Sequence, residues 1–313
     1  MRPAVLLELA RRNGVALPAD DEEGLARWFR FRDFEHFVQV YLTCSRTLRK
    51  PEDFQLLAAD FMAEQARQNV VYTETHFTIG THLTNGANGD EVLAALEEAI
   101  RESEERLGVR LRLIPDIVRN VPALADATLE WALAGRRRGV VVALGLSGSE
   151  ARFPSEPFRE HFATAAREGL HCVAHAGEHA GPESIRSVLE VCGAERIGHG
   201  VRAVEDPSLV AELAERGIPL EVCPSSNVCL GVVPDLAHHP FDRLARAGCR
   251  VTVNSDDGPL FGTTLTGEYL RLARTFGYGP GELADLALAG LRASFLHEEE
   301  RAALEAAVKT FSP

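Results

Sequence analysis

Along the chain, short apolar and β-branched stretches alternate with longer segments of helical period, and this alternation narrows the possible folds more than any other feature. The strand candidates are Val70–Ile79, Leu111–Arg119, Val140–Leu146, His171–His175, Arg196–His199, Leu220–Cys223 and Arg250–Asn254. Between them lie helix candidates such as Gly89–Leu107, Ala123–Arg137, Phe158–Glu168, Pro182–Cys192, Pro207–Arg216 and Pro240–Ala247. Several of these open with proline or an acidic residue, as first helical turns prefer. Strands that are apolar nearly throughout must be covered on both faces, so the pattern predicts a parallel sheet wrapped by helices. Seven such units in 313 residues predict a (β/α)8 TIM-type barrel, one strand short of eight, with residues 1–313 forming a single domain. A doubly wound open sheet is the alternative that the pattern leaves.

Composition removes several classes of function. The formal net charge is −13 and there is no long basic stretch, which argues against a nucleic-acid or anionic-membrane surface. Nothing approaches 18 consecutive apolar residues, so no transmembrane helix is expected. Residues 1–14 read as an amphipathic helix and not as a secretory signal. The six cysteines, Cys44, Cys172, Cys192, Cys223, Cys229 and Cys249, show no framework spacing and predict reduced thiols in the cytoplasm. A dense aromatic segment, Asp20–Thr47, lies outside the alternation; it reads either as packing against the barrel or as an apolar lid over a pocket. Oligomeric state is not legible.

Catalytic groups of such barrels sit at the C-terminal ends of strands, and here those ends are polar. They read Gly145–Glu150, His175–Glu178, Arg196–Gly200, Cys223–Asn227 and Asn254–Asp257. Imidazole and carboxylate from different strand ends suit one zinc ion, and an open coordination position leaves room for a water whose pKa the metal lowers. Glu178, three residues after His175, is placed to donate a proton, and His199 to hold and deprotonate that water. One histidine on an apolar strand is usually a packing residue; four such groups on four strand ends, in barrel order, point to a site.

At these residues the chain resembles the adenosine deaminase family of the amidohydrolase superfamily. The motifs are Val-Ala-His-Ala-Gly-Glu (173–178), Gly-Ala-Glu-Arg-Ile-Gly-His-Gly (193–200), Cys-Pro-Ser-Ser-Asn (223–227) and Asn-Ser-Asp-Asp (254–257), and Arg2–Val15 and Lys50–Phe54 also look like family segments. The resemblance implies a cytoplasmic, zinc-dependent aminohydrolase of purine metabolism that converts an adenosine-like nucleoside to its inosine-like product and ammonia. It implies that His175 and Asp256 are metal ligands, with Asp256 also hydrogen-bonded to the attacking water. Glu178 would protonate purine N1, and His199 would orient the hydroxide and stabilise developing charge. Asp257 would contact N7, and the backbone N–H of Gly148 would contact N3. The partner is then a small purine. The other zinc-deaminase design, His-x-Glu followed by Pro-Cys-x-x-Cys, is not in the sequence. Cys223 and Cys229 read as packing residues.

Three departures from the family pattern shape the expectations. Family members carry His-x-His at the end of the first barrel strand, and no His-x-His occurs in these 313 residues. The strand missing from the count is therefore the first. The start at Met1 is read as a start assigned too late, with a metal-poor, non-catalytic purine-binding relative as the rival account. With His175 and Asp256 alone, zinc is expected to bind weakly or not at all, since an open catalytic site wants three protein ligands. His36, His76 and His82 are read as surface, structural or substrate-shaping residues and not as replacement ligands. Secondly, Gly258 follows the two aspartates and loosens the backbone beside Asp257. Thirdly, Thr73–Leu83 departs from the Glu-x-Arg-Phe pattern of adenosine deaminases, so adenine and aminodeoxyfutalosine stand beside adenosine as substrates.

Overall fold

A computed structural model describes residues 1–311. Among the described residues seven strands form one sheet: β1 (Tyr72–Phe77), β2 (Arg110–Val118), β3 (Ala143–Ser147), β4 (His171–Ala176), β5 (Arg196–His199), β6 (Pro219–Val222) and β7 (Arg250–Val253). Neighbours pair in parallel and in chain order, from β1 to β7. A doubly wound sheet reverses its strand order at a switch point. The unbroken order here excludes that alternative and gives a TIM-type barrel incomplete by one strand, with β1 and β7 at its edges.

Each connection follows from local sequence. The helix Gly89–Leu107 presents Val92, Leu93, Leu96 and Ile100 on one buried stripe, is capped by the Asn88 side chain, and ends at Gly108 with φ +69°. The helix Pro207–Arg216 begins under an Asp206 cap with proline in its first turn and ends at Gly217. Both spans match the sequence reading.

Strand limits differ where a helix end takes the backbone groups. Val140 and Val141 were expected to open a strand, but both N–H groups bond the Gly135 carbonyl, closing the preceding helix Ala125–Arg137. The two residues make only an isolated parallel bridge to Leu113, and continuous pairing starts at Ala143. Likewise the Val70 N–H bonds the Gln65 carbonyl, so β1 begins at Tyr72, and Ile79 already opens the helix Ile79–Thr84.

The segment ahead of the barrel folds into α1 (Pro3–Asn13), α2 (Glu22–Trp28), α3 (Phe34–Ser45) and α4 (Pro51–Arg67). Its aromatic residues do pack, and they pack onto the loops after the strands. Phe37 stacks on Phe261 with ring centroids 5.3 Å apart, and Phe34 lies 4.4 Å from the His179 ring. Phe261 follows Asp256 and Asp257, and His179 follows Glu178, so the segment covers part of the barrel mouth.

Among the described residues no helix is long and apolar enough to cross a membrane. All six cysteines are free, and only Cys229 is exposed.

Candidate active site

Deep in the barrel, charge is compensated by charge. Arg196 on β5 is buried between Glu74 on β1, 2.5 Å away, and Glu221 on β6, 2.8 Å away. The Phe295 ring covers the guanidinium at 3.9 Å. Nearer the C-terminal ends of the strands lie His76, Asp116, His175, His199 and Asp256, with Glu178 in the turn beyond β4.

The turn carrying Glu178 is held from below. Buried Glu150 accepts the backbone N–H groups of Gly177, Glu178 and His179 at 2.7–2.8 Å, and the Ser184 hydroxyl at 2.5 Å. That carboxylate is fully engaged by the fold, and it fixes where Glu178 points. Burial alone would raise the Glu178 pKa; the positive charge that His199 and His179 carry when protonated outweighs it and brings the carboxyl down to about 2. The His179 Nδ1 lies 3.1 Å from Glu178 Oε2.

His199 stands between two carboxylates, its Nε2 3.7 Å from Glu178 and 3.8 Å from Asp256. Both His199 (φ +62°) and Asp256 (φ +52°) adopt left-handed backbone that non-glycine residues seldom use. Such strain persists where the surroundings enforce it, and it concentrates at functional sites.

A hydrogen-bond chain decides how the His199 ring carries its proton. The Phe241 N–H donates to His239 Nδ1 at 3.0 Å, so His239 must donate from Nε2, which lies 3.0 Å from Asn227 Oδ1. The Asn227 amide then donates to His199 Nδ1, 3.1 Å away. A backbone N–H anchors this chain, so the assignment does not depend on an arbitrary amide orientation. Burial keeps His239 uncharged, with its pKa near 4. The neutral His199 ring therefore holds its proton on Nε2, facing Glu178 and Asp256, and acts there as a donor.

Asp257 is half-buried, and burial together with the neighbouring Asp256 carboxylate pushes its pKa up to about 7. Gly148 follows β3 directly at φ +94°, and a Cβ there would meet Asn120 Oδ1 at 2.5 Å. Asn120 in turn accepts the Ser149 N–H at 2.9 Å.

The family-implied metal is compatible with the donors present. His76, Asp116 and His175 each offer a ligand atom within 4.8 Å of the other two, and so do His199, Cys223 and Asp256. The groups adjoin where the His175 and His199 rings lie 5.4 Å apart. Imidazole and carboxylate are ordinary donors for a divalent ion. Burial raises the Cys223 thiol well above its usual range, which makes it a poor thiolate donor. His175 and Asp256, expected together from sequence, fall in adjacent groups. His76, expected to be structural, falls beside His175.

Glu150 and Asn227 lie inside the polar strand-end segments but carry no role legible from sequence, and neither do Asp116 and His239. Nothing local marks His239, whose importance depends on the Phe241 backbone. Asp116 left a signal, a carboxylate inside the apolar run Leu113–Val118 at the C-terminal half of β2.

The fold and site define a barrel hydrolase with acid and base groups at the C-terminal ends of its strands. The adenosine deaminase family profile matches residues 1–311, and the chain belongs to that family. It is 39% identical over 312 residues to the aminodeoxyfutalosine deaminase of Streptomyces coelicolor, covering 99% of this chain and 81% of the relative. The crystal structure of adenine deaminase from Arthrobacter aurescens superposes with a TM-score of 0.94 at 31% identity, covering 99% of this chain and 94% of that one. A Burkholderia ambifaria amidohydrolase with bound zinc superposes with a TM-score of 0.91 at 25% identity, covering 99% and 86%.

Proposed function

We propose that the chain removes the 6-amino group of a purine by hydrolysis. Water supplies the oxygen that replaces nitrogen at C6, and ammonia leaves. The observation carrying this reading is the placement of His199 between Glu178 and Asp256, at 3.7 and 3.8 Å, on three separate strand ends. An aromatic ring resists attack until N1 is protonated, so the acid and the attacking water must be held apart in one small pocket.

Glu178 is assigned to purine N1. In the free site it is ionised, so it must take a proton as substrate binds before passing it to N1. His179, the more exposed of the pair, is the neighbour placed to carry it. His199, with its proton on Nε2, orients the attacking oxygen and donates to the tetrahedral centre; this tautomer leaves the role of base to Asp256. Asp257, protonated up to pH about 7, donates its O–H to the N7 lone pair. The Gly148 N–H is assigned to N3. Zinc, held by His175 with Asp256, would supply an activated water at neutral pH.

Adenosine was the first expectation from the motifs. The altered Thr73–Leu83 segment and the likeness to adenine and aminodeoxyfutalosine deaminases support those two substrates equally well. The six unpaired cysteines suit a reducing cytoplasm. The test is ammonia release and the accompanying ultraviolet shift with zinc-loaded chain and each of adenosine, adenine and aminodeoxyfutalosine. Turnover of one or more supports the proposal. Purine binding without ammonia from any of them supports the non-catalytic rival.

A further inference from the structure

We propose that Glu268 is a positioning residue for the reaction: its buried carboxylate ties the segment that orients His199 to the segment that carries Asp256 and Asp257. The role rests on the deaminase reading, though the tie itself does not.

The first segment needs a partner from outside. The short helix Pro224–Cys229 carries Asn227, whose amide donates to His199 Nδ1 at 3.1 Å. Its N-cap residue, Cys223, makes no side-chain hydrogen bond to the helix end, and Pro224 has no N–H to offer. The Ser225 N–H is therefore the first donor of that helix, and Ser225 is buried. Glu268 Oε2 accepts it at 3.1 Å, doing from another helix what an N-cap side chain does locally.

The second segment closes on itself. Beyond Asp256 and Asp257 the chain turns back, and the Gly258 carbonyl accepts the Thr263 N–H at 2.9 Å. Glycine permits this approach, since a Cβ at position 258 would lie 3.0 Å from the Thr263 carbonyl. The Thr263 hydroxyl donates to Glu268 Oε1, so the two oxygens of one carboxylate hold the two segments.

Arg271 repeats the tie from the same face of the helix Leu265–Phe276, three residues on from Glu268. Its Nη1 lies 3.8 Å from Glu268 Oε1 and donates to Ser225 Oγ, while Nη2 donates to the Gly262 carbonyl at 3.3 Å. Glu268 is fully buried, where a carboxylate is costly unless its oxygens are hydrogen-bonded. An apolar residue there would leave the Ser225 N–H buried without a partner. The tie matters because both segments meet at one ring. Asn227 faces His199 Nδ1, and Asp256 lies 3.8 Å from its Nε2. A shift of either segment moves the ring and loosens the choice of which nitrogen carries the proton.

The test uses the whole chain with zinc supplied in excess. Glu268→Gln keeps the side chain's shape but turns one acceptor into a donor, and Thr263→Val keeps its shape and removes the hydroxyl. In both, turnover should fall by at least about 10-fold, with most of the loss in kcat. The ring-nitrogen NMR signals of His199 should move toward a mixture of the two tautomers. Thr263→Ser, which keeps the hydroxyl, should recover most of the loss, and a purely structural role would not follow the hydroxyl in this way. Should Glu268→Gln fold poorly, the two Thr263 variants read the same tie. Unmoved His199 signals in the folded variants, unchanged kcat, or a Thr263→Ser as slow as Thr263→Val would overturn the proposal. If the unaltered chain releases no ammonia while the His199 signals still move in the variants, the deaminase reading falls and the tie stands.

Discussion

Glu74 and His76 lie two residues apart on β1, and side chains at that spacing share a face of the sheet. Glu74 belongs to the lower cluster, where Arg196 answers Glu74 and Glu221 under the Phe295 ring. His76 belongs to the mouth, where imidazoles and carboxylates outnumber the fixed cations that would close them into ion pairs. The same chemical types therefore serve as scaffold below and as reactive groups above. Depth along the strand separates the two, and β6 repeats the lesson, with Glu221 facing both Arg196 and His76.

The sharpest way to break this comparison is at the mouth. Glu178→Gln keeps the shape of the side chain and removes its acid, so deamination should fall by about 10²–10⁴-fold while the melting curve changes little. Activity within a few-fold of the parent would remove Glu178 from the chemistry. A second effect, of about 10²-fold on kcat with KM nearly unchanged, is expected for Asn227→Ala, which frees His199 to rotate or change tautomer. His239→Ala should act in the same direction, and a fall confined to KM would contradict the hydrogen-bond chain.

The lower layer should answer differently. Arg196→Met leaves two buried carboxylates without their cation and should cost about 3–5 kcal/mol in urea unfolding. A stability change below about 1 kcal/mol would mean that the cluster is not the closed scaffold described.

The smallest effect concerns pH. His82 is buried between Phe54 and Phe77, and burial lowers its pKa to about 4. The unfolded chain binds a proton near pH 6.5 that the folded chain refuses, so stability should fall as pH drops from about 6.5 toward 4. The contribution is up to about 3 kcal/mol, and His82→Leu should flatten that part of the profile. His239, depressed by burial in the same way, adds to the slope and remains in the variant. An unaltered slope in His82→Leu would remove His82 from the account.

Much of the fold was legible because parallel strands buried on both faces read as apolar runs. The Gly89–Leu107 and Pro207–Arg216 helices carry their caps in sequence as Asn88, Gly108, Asp206 and Gly217. At Val140 and Val141 the N–H groups close the preceding helix while the Val140 carbonyl and the Val142 N–H already bond Leu113, so helix end and strand start overlap there and sequence does not mark the boundary. At the barrel mouth, the convergence of Glu178, His199 and Asp256 was expected from motif and strand-end position, and the three do lie together. Glu150 and His239 meet backbone N–H groups, and Asn227 meets two imidazoles, that only folding brings near, so residue type alone could not mark them. The surroundings of His76 were not legible for a related reason: Asp116 and His175, which it meets in the fold, lie 40 and 99 positions away in the chain.

The most direct test of the central claim is ammonia released per purine consumed by the zinc-loaded chain, measured beside Glu178→Gln. The account predicts one ammonia per 6-oxopurine formed from at least one of adenosine, adenine and aminodeoxyfutalosine, with the variant nearly silent. No ammonia from any of the three, in a chain that holds both zinc and purine, would contradict it.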